Sequence, residues 1–416
     1  MDGRARPLAG TAPPEGERTI MKSRIDSSFE TTAAAPASPL RIAVLGGDAT
    51  NPTLILRIRS FMRGGAAVDA FTFRRRKYNV DYQPDWPNTH LGETVDRNYL
   101  RRLSRLARAA VRLSRHRARF RRVDAIYARQ IDLLVLALFA KWVSGSRAKI
   151  VYEVEDIQAV YFRDDVVGAL FRAIERWVLR RIDLLVPLSP GFLRGFYEPV
   201  LAYGGPSFVL ENKIQPGERR GLATPAGRVW EEITDRWVIG WFGTLRCPKS
   251  MALLERIAER LGPKVEIYTR GYPTETGLDA YMRIVDRHPN WVHDGEYSIP
   301  DDLETMYGRV HFSWCLDMLD EHGNSQLLRA CRVYQGGYYG AVPLVMAGTE
   351  MDRWLGEAGV GHAFAPPYAD AIADFLEEMD PARYRAERQD IMARRDALFL
   401  EDGRETRALL DAIRAL

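Results

Sequence analysis

Short apolar runs and longer amphipathic stretches alternate along most of the chain. Ile42 to Leu45 is apolar and ends in Gly46-Gly47, and a helix-like pattern follows Asn51-Pro52. Further strand-like runs lie at 66–73, 123–128, 148–154 and 183–189, with helical spacing between them, as at 166–182. Buried strands alternating with amphipathic helices predict a parallel sheet covered on both faces. After 207–214 the chain turns polar through "QPGERRGLATPAGR". A second series then begins at Trp237, with strands at 237–243, 264–270, 291–295, 311–316 and 341–347 and helices such as "MALLERIAERLG" between them.

The expected fold class is therefore α/β, two Rossmann-like domains facing across an interdomain cleft. The N-terminal domain covers 40–214, a linker 215–236, the C-terminal domain 237–380 and a charged helical segment 381–416. Residues 1–39, rich in Ala, Pro, Thr, Ser and Gly, read as a disordered leader or the product of an upstream start.

Composition narrows the class. A length of 416 residues suits about two domains. The net charge of +4 says little about partners. Three scattered cysteines, Cys247, Cys315 and Cys331, form no CxxC pair, and the seven histidines form no HxxxH or HExxH pair. Neither a disulfide framework nor a metal site is expected, and no cofactor. No secretory apolar segment opens the chain, which counts against a periplasmic binding protein and for a cytoplasmic one. The strongest apolar run, "LLVLALFA" at 133–140, is flanked by Asp132 and Lys141 and far short of the roughly 20 residues that span a bilayer. It is expected to be a core helix.

In open α/β sheets ligands bind at the carboxyl ends of strands, where helix N-termini favour anions. Three segments put side-chain chemistry there, and a glycine pair accompanies them. In "WVIGWFGTLRCPKS", Gly243 and Thr244 turn the chain out of a strand, and Arg246 and Lys249 follow at the start of a helix. A rigid guanidinium fork beside a compact ammonium suits phosphate oxygens, and a solvated basic turn is the other reading. In "VYEVEDIQ", Glu155 and Asp156 stand at a strand end, as proton acceptors, substrate-positioning groups or simple helix caps. Gly46 and Gly47 allow close backbone approach on the acceptor side, and they make no GxGxxG, so a nicotinamide or flavin reading gains nothing. The third segment is "HGNSQLLRACRVYQGGYYGAVPLVM", 322–346.

With the G-x-L-R-x-x-K segment at 243–249, this third stretch resembles the donor half of GT-B glycosyltransferases. It is similar in particular to the retaining, glycosyltransferase 4-like group that includes succinoglycan-type sugar transferases. The matching residues are Asn324, Arg332-Val333-Tyr334-Gln335, Gly340 and Pro343. The resemblance implies that Gly243, Thr244, Arg246, Lys249, Asn324, Arg332, Tyr334 and Gln335 hold a nucleotide diphosphate sugar. It implies a catalytic set of Glu155, Asp156, Arg246 and Lys249, hexosyl transfer with retention, and a glycan or polyprenyl-diphosphate-linked acceptor in exopolysaccharide assembly. The chain departs from the pattern three times, first at Glu155, which falls where many related enzymes have a His, while Asp156 matches the Asp that follows it. Gln335 stands where the family has a ribose-binding Glu, and Leu327 stands where another Glu is usual. The last two departures keep open a non-catalytic scaffold; a nucleotide-sugar epimerase is a further alternative.

One more segment stands out. Residues 97–122, Arg97 to Arg122, hold eleven arginines and no acid, with leucines at helical spacing. A basic amphipathic helix of this kind predicts adsorption to an anionic membrane surface, peripheral on the inner face of the cell membrane. A solvated helix packed on the sheet is the plainer reading. No aromatic residues interleave the arginines between Leu100 and Arg119, so no nucleic-acid partner is expected.

Overall fold

The computed structural model describes residues 38–75, 82–93, 99–215, 236–320 and 322–416, with side chains of the helix at 99–115 described from 104 onward. The leader expected over 1–39 therefore lies almost wholly outside the described residues, as does nearly all of the linker expected over 215–236. Twelve strands are described. The first sheet contains β1 (Arg41–Gly46), β2 (Ala67–Arg74), β3 (Asn88–Glu93), β4 (Ala125–Arg129), β5 (Lys149–Val154) and β6 (Leu184–Pro187). The second contains β7 (Trp237–Thr244), β8 (Val265–Tyr272), β9 (Trp291–His293), β10 (Phe312–Trp314), β11 (Val342–Met346) and β12 (His362–Phe364).

The strand orders are β3-β2-β1-β4-β5-β6 and β12-β11-β10-β7-β8-β9. All pairings are parallel. Read from its own first strand outward, each sheet has the same doubly wound order, with the chain reversing direction of travel beside β1 and beside β7. That reversal opens a crevice at the carboxyl ends of β1 and β4 in one lobe and of β7 and β10 in the other. Two strands went unanticipated. β3 is largely polar and sits at a sheet edge, and β12 is three residues long.

Both faces of each sheet are buried. On one face of the first sheet Leu45, Phe71, Ile126 and Ile150 pack under the helices Tyr99–Arg115, Ile131–Ser144 and Val166–Leu179. The stretch at 133–140 is thus a core helix, with Leu133, Leu134, Ala137 and Ala140 buried. On the other face Val44, Tyr127 and Val151 meet the helix Pro52–Arg63 and, less expectedly, the last helix of the chain. The helix Pro381–Phe399 packs on the C-terminal lobe; Leu400 then bridges to Ile214, and Arg404–Ala415 returns to the N-terminal lobe. Leu409, Leu410 and Ile413 are buried there, and Ser60 and Thr406 share a hydrogen bond of 2.6 Å. Among the described residues no helix is long and apolar enough to cross a membrane.

Candidate active site

The C-terminal wall of the cleft is built by glycine. Gly243 near the end of β7 has φ +120°, and its register partner on β8, Gly271, has φ +127°. A Cβ on Gly271 would lie 1.8 Å from the Gly243 carbonyl oxygen, so no side chain fits. Past this point Leu245 is buried and anchors the turn, while Arg246 is exposed. The helix Pro248–Leu261 then starts with proline in its first turn, where the missing N–H is no loss. Cys247 caps it, its Sγ accepting from Ser250 N at 3.4 Å, and Ser250 Oγ donates to the Leu316 carbonyl at 3.4 Å. The helix N-terminus is thereby fixed beside the end of β10, with Arg246 just before the cap and the exposed Lys249 on the first turn.

The loop after β10 folds on its own acids. Asp317 accepts from Ser325 Oγ at 2.7 Å and lies 3.8 Å from Arg332 Nη2, while Asp320 accepts from Asn324 N at 3.2 Å. This arrangement aims Asn324 at the other lobe, where both ends of its amide are used. Its Nδ2 donates to Asp156 Oδ1 at 2.9 Å, and its Oδ1 accepts from Ile157 N at 2.8 Å. Asp156 is exposed to the cleft but walled by protein. That desolvation, with some repulsion from Asp317, raises its proton affinity; the Asn324 hydrogen bond and the Arg246 charge oppose the shift without cancelling it.

The N-terminal wall is a network of charges. Glu153, fully buried, is paired with Arg57 at 2.8 Å and Arg129 at 2.7 Å, and it accepts from the Tyr127 hydroxyl. Burial by itself would push this carboxyl up, but the two guanidinium groups outweigh it and hold it below its ordinary value. Arg129 also pairs with Glu155, whose Oε1 lies 3.2 Å from Thr53 Oγ1 and whose Oε2 is 3.5 Å from Gln130 Nε2. Gln130 has φ +74°, a conformation that L-residues adopt at a cost and that here turns the chain from β4 into the helix Ile131–Ser144. Beside Glu155 lies a small, partly open hollow lined in part by Gly47, Asp48 and Asn51.

The positions expected from sequence thus divide. Asp156, Asn324, Arg246 and Arg332 are linked in one chain of contacts and charges, through Asp317, across the cleft. Gly243 and Thr244 shape the same wall. Glu155 and Gly47 belong to the separate N-terminal cavity, and Gly46 packs against Leu54. Gln335 is half-buried, 3.5 Å from the Tyr307 hydroxyl. Tyr334 does not line the cleft: it is fully buried, with its hydroxyl donating to Glu211 at 3.1 Å. Leu327 has a packing role, since a Cβ on Gly195 would lie 2.2 Å from its Cδ2, and the Leu327 carbonyl accepts from Ser189 Oγ at 2.6 Å. Nearby, Arg329 and Arg194 converge on the buried Glu350 at 2.6 and 2.5 Å. A leucine at 327 therefore joins the lobes where a glutamate would face apolar neighbours. Sequence reasoning missed Gly271, Asp317, Arg129 and Gln130. Among the described residues one group of metal-ligand types gathers, Glu255, Glu259 and His288, where Glu255 already pairs with Arg287 at 2.8 Å.

No family model matches the chain. The succinoglycan biosynthesis protein ExoL of Rhizobium meliloti (strain 1021) is 33% identical over 348 residues, 83% of this chain and 86% of that protein. The sucrose-phosphate synthase of Thermosynechococcus elongatus superposes with a TM-score of 0.67 at 14% identity, over 90% of this chain and 98% of that one. Anabaena HepE in complex with UDP and glucose superposes with a TM-score of 0.66 at 14% identity, over 91% of this chain and 100% of that one. At such identities the two structural likenesses speak for the fold alone.

Proposed function

The chain belongs to the family of the succinoglycan biosynthesis protein ExoL and has the GT-B fold, and from that premise we propose how it acts as a glycosyltransferase of exopolysaccharide biosynthesis. The donor is a nucleotide diphosphate sugar, with its diphosphate at the N-terminus of Pro248–Leu261 between Arg246 and Lys249. The helix dipole and two cations stabilise the charge that grows on the leaving group. The glycines at 243 and 271 let the diphosphate approach the backbone. Arg332, 3.8 Å from Asp317, and the half-buried Gln335 take the sugar and ribose hydroxyls in this reading, Gln335 accepting through its amide oxygen.

The transfer is of a hexosyl unit with retention. The bond from C1 to the diphosphate oxygen breaks, a bond from C1 to the acceptor oxygen forms, and the acceptor proton passes to the departing diphosphate. Asp156 faces this centre from the opposite lobe and positions the acceptor; in an inverting reaction it would be the base, ahead of Glu155, which is committed to Arg129. The acceptor is a glycan or polyprenyl-diphosphate-linked glycan entering beside Gly47, presented at the cytoplasmic membrane face to which the basic helix Tyr99–Arg115 adsorbs.

The observation that carries this reading is the exposed Arg246 at a capped helix start, set across the cleft from Asp156. HepE is described with UDP, so UDP is the first ligand to try, beside GDP and ADP. A nucleoside diphosphate should raise the melting temperature, and Arg246→Ala should remove the shift and lower transfer roughly tenfold to a hundredfold, the worth of a charge-assisted hydrogen bond. If no nucleotide stabilises the wild type, the enzyme reading gives way to a scaffold. Retention is read from the anomeric configuration of the product.

A further inference from the structure

The helices Tyr99–Arg115, Ile131–Ser144 and Val166–Leu179 lie side by side on one face of the first sheet. Their inward residues form its core, and their outward residues are unusual. On Val166–Leu179 the outward line is Val166, Leu170, Ile174 and Trp177, at helical spacing; Val166 is 84% exposed, Leu170 56% and Trp177 47%. On the neighbouring helix Val135 and Trp142 face out, and Trp142 is 77% exposed. A soluble surface rarely groups large apolar side chains in this way without a partner.

Charge identifies the partner. Arg108, Arg112 and Arg115 are exposed on Tyr99–Arg115, the helix that packs beside Ile131–Ser144, and Arg112 lies on its far margin, toward Gly92 at the β3 edge of the sheet. At its other end Arg180 is exposed and Arg181 lies over the Trp177 ring at 3.8 Å. Apolar residues with tryptophans at the margin and arginines on both sides match the layering of an anionic bilayer, acyl chains beneath a negatively charged headgroup layer. The strip also leads to the cleft. Arg172 on the same helix donates to the Tyr161 and Arg163 carbonyls at 2.7 Å each, and that segment follows directly from Asp156.

We propose that the outer face of Ile131–Ser144 and Val166–Leu179 inserts into an anionic lipid bilayer, with the arginines of Tyr99–Arg115 and of 180–181 as its electrostatic rim. Binding therefore has a salt-resistant apolar part that the basic helix alone would lack. This rests on the reading of a membrane-presented acceptor given above, and it fixes which face meets the lipid.

The test is flotation of the full chain with vesicles of equal parts phosphatidylglycerol and phosphatidylcholine, and with phosphatidylcholine alone, at low and high salt. Wild type should float with the anionic vesicles and partly persist in high salt. Leu170→Glu with Ile174→Glu, and separately Trp142→Ala, should weaken partitioning, the double variant by about tenfold or more. Because these side chains face outward, melting temperature and the nucleotide-induced shift of the variants should match wild type, so their weaker flotation reports lipid contact rather than misfolding; a wild type that fails to float while keeping its nucleotide shift sinks this proposal and not the donor reading. Three results would overturn it: wild type remaining unbound, variants floating like wild type, or salt abolishing all binding. A wild-type dimer that the double variant converts to monomer, with no change in flotation, would assign the face to a second copy of the chain and overturn it as well.

Discussion

At the ends of β4 and β5 the N-terminal lobe carries Arg129, Glu153 and Glu155, locked to Arg57, Tyr127 and Thr53. At the ends of β7 and β8 the C-terminal lobe carries two glycines and then an exposed arginine. The sheets share one strand order, so topology does not explain the contrast. One wall is a set of side chains ordered in advance by burial and ion pairing. The other is bare backbone with charge at its rim. A diphosphate is recognised by backbone N–H groups and cations, for which side chains at the strand ends would be obstacles. A glycan hydroxyl needs fixed acceptors and donors at set positions, which only a rigid side-chain network supplies.

The sharpest way to break the contrast is to remove the centre of the N-terminal network. Glu153→Ala leaves Arg57 and Arg129 buried without their shared carboxylate, and should lower stability by about 3–5 kcal/mol. Urea unfolding measures this directly, with Arg246→Ala as the control from the other wall, expected within about 0.5 kcal/mol of wild type because its side chain is exposed. Equal losses in the two variants would mean that the walls do not differ in the way described.

The C-terminal wall should fail through its backbone. Gly271→Ala places a Cβ against the Gly243 carbonyl at a φ that alanine adopts with strain, costing about 1–3 kcal/mol. Because the strain falls on the turn before Arg246, it should also weaken the nucleotide-induced melting shift, which Glu153→Ala should spare under conditions where it is folded. A Gly271→Ala protein that binds nucleotide like wild type would remove the glycine pair from the donor wall.

The same contrast governs what could be read from the chain. Gly243, Arg246 and Lys249 fall within seven residues, so a local pattern exposes them, and the apolar runs marked ten of the twelve strands. Gly271 is a glycine only because β8 pairs in register with β7, and nothing near it in sequence says so. Arg57, Tyr127, Arg129 and Glu153 meet only after three elements pack, and each alone looks like an ordinary residue of a helix or strand. Tyr334 sits inside a matched motif yet points into the core, since its helix turns that position toward Glu211. Leu327 reads in sequence as a lost glutamate, and Gly195, which has no side chain, makes room for the leucine.

The finest test uses the two walls' carboxyls against each other. Glu153 is held below its ordinary value, so its contribution to stability is present above that value and is lost only as pH falls through the depressed one. Asp156 has the opposite sign. Its folded-state value is raised, so the stability it contributes is complete below its ordinary 3.8 and is lost as pH rises through the raised value. Asp156→Asn removes the charge while keeping an oxygen to accept from Asn324. It should therefore melt slightly higher than wild type at neutral pH, with the difference closing as pH falls toward about 4. Arg246→Ala takes away one of the influences that restrain Asp156, so the pH window over which Asp156→Asn gains should widen in that background. If Asp156→Asn melts lower than wild type at neutral pH, Asp156 is stabilised as a charge, and the cleft carboxyl belongs with the paired network of the N-terminal wall.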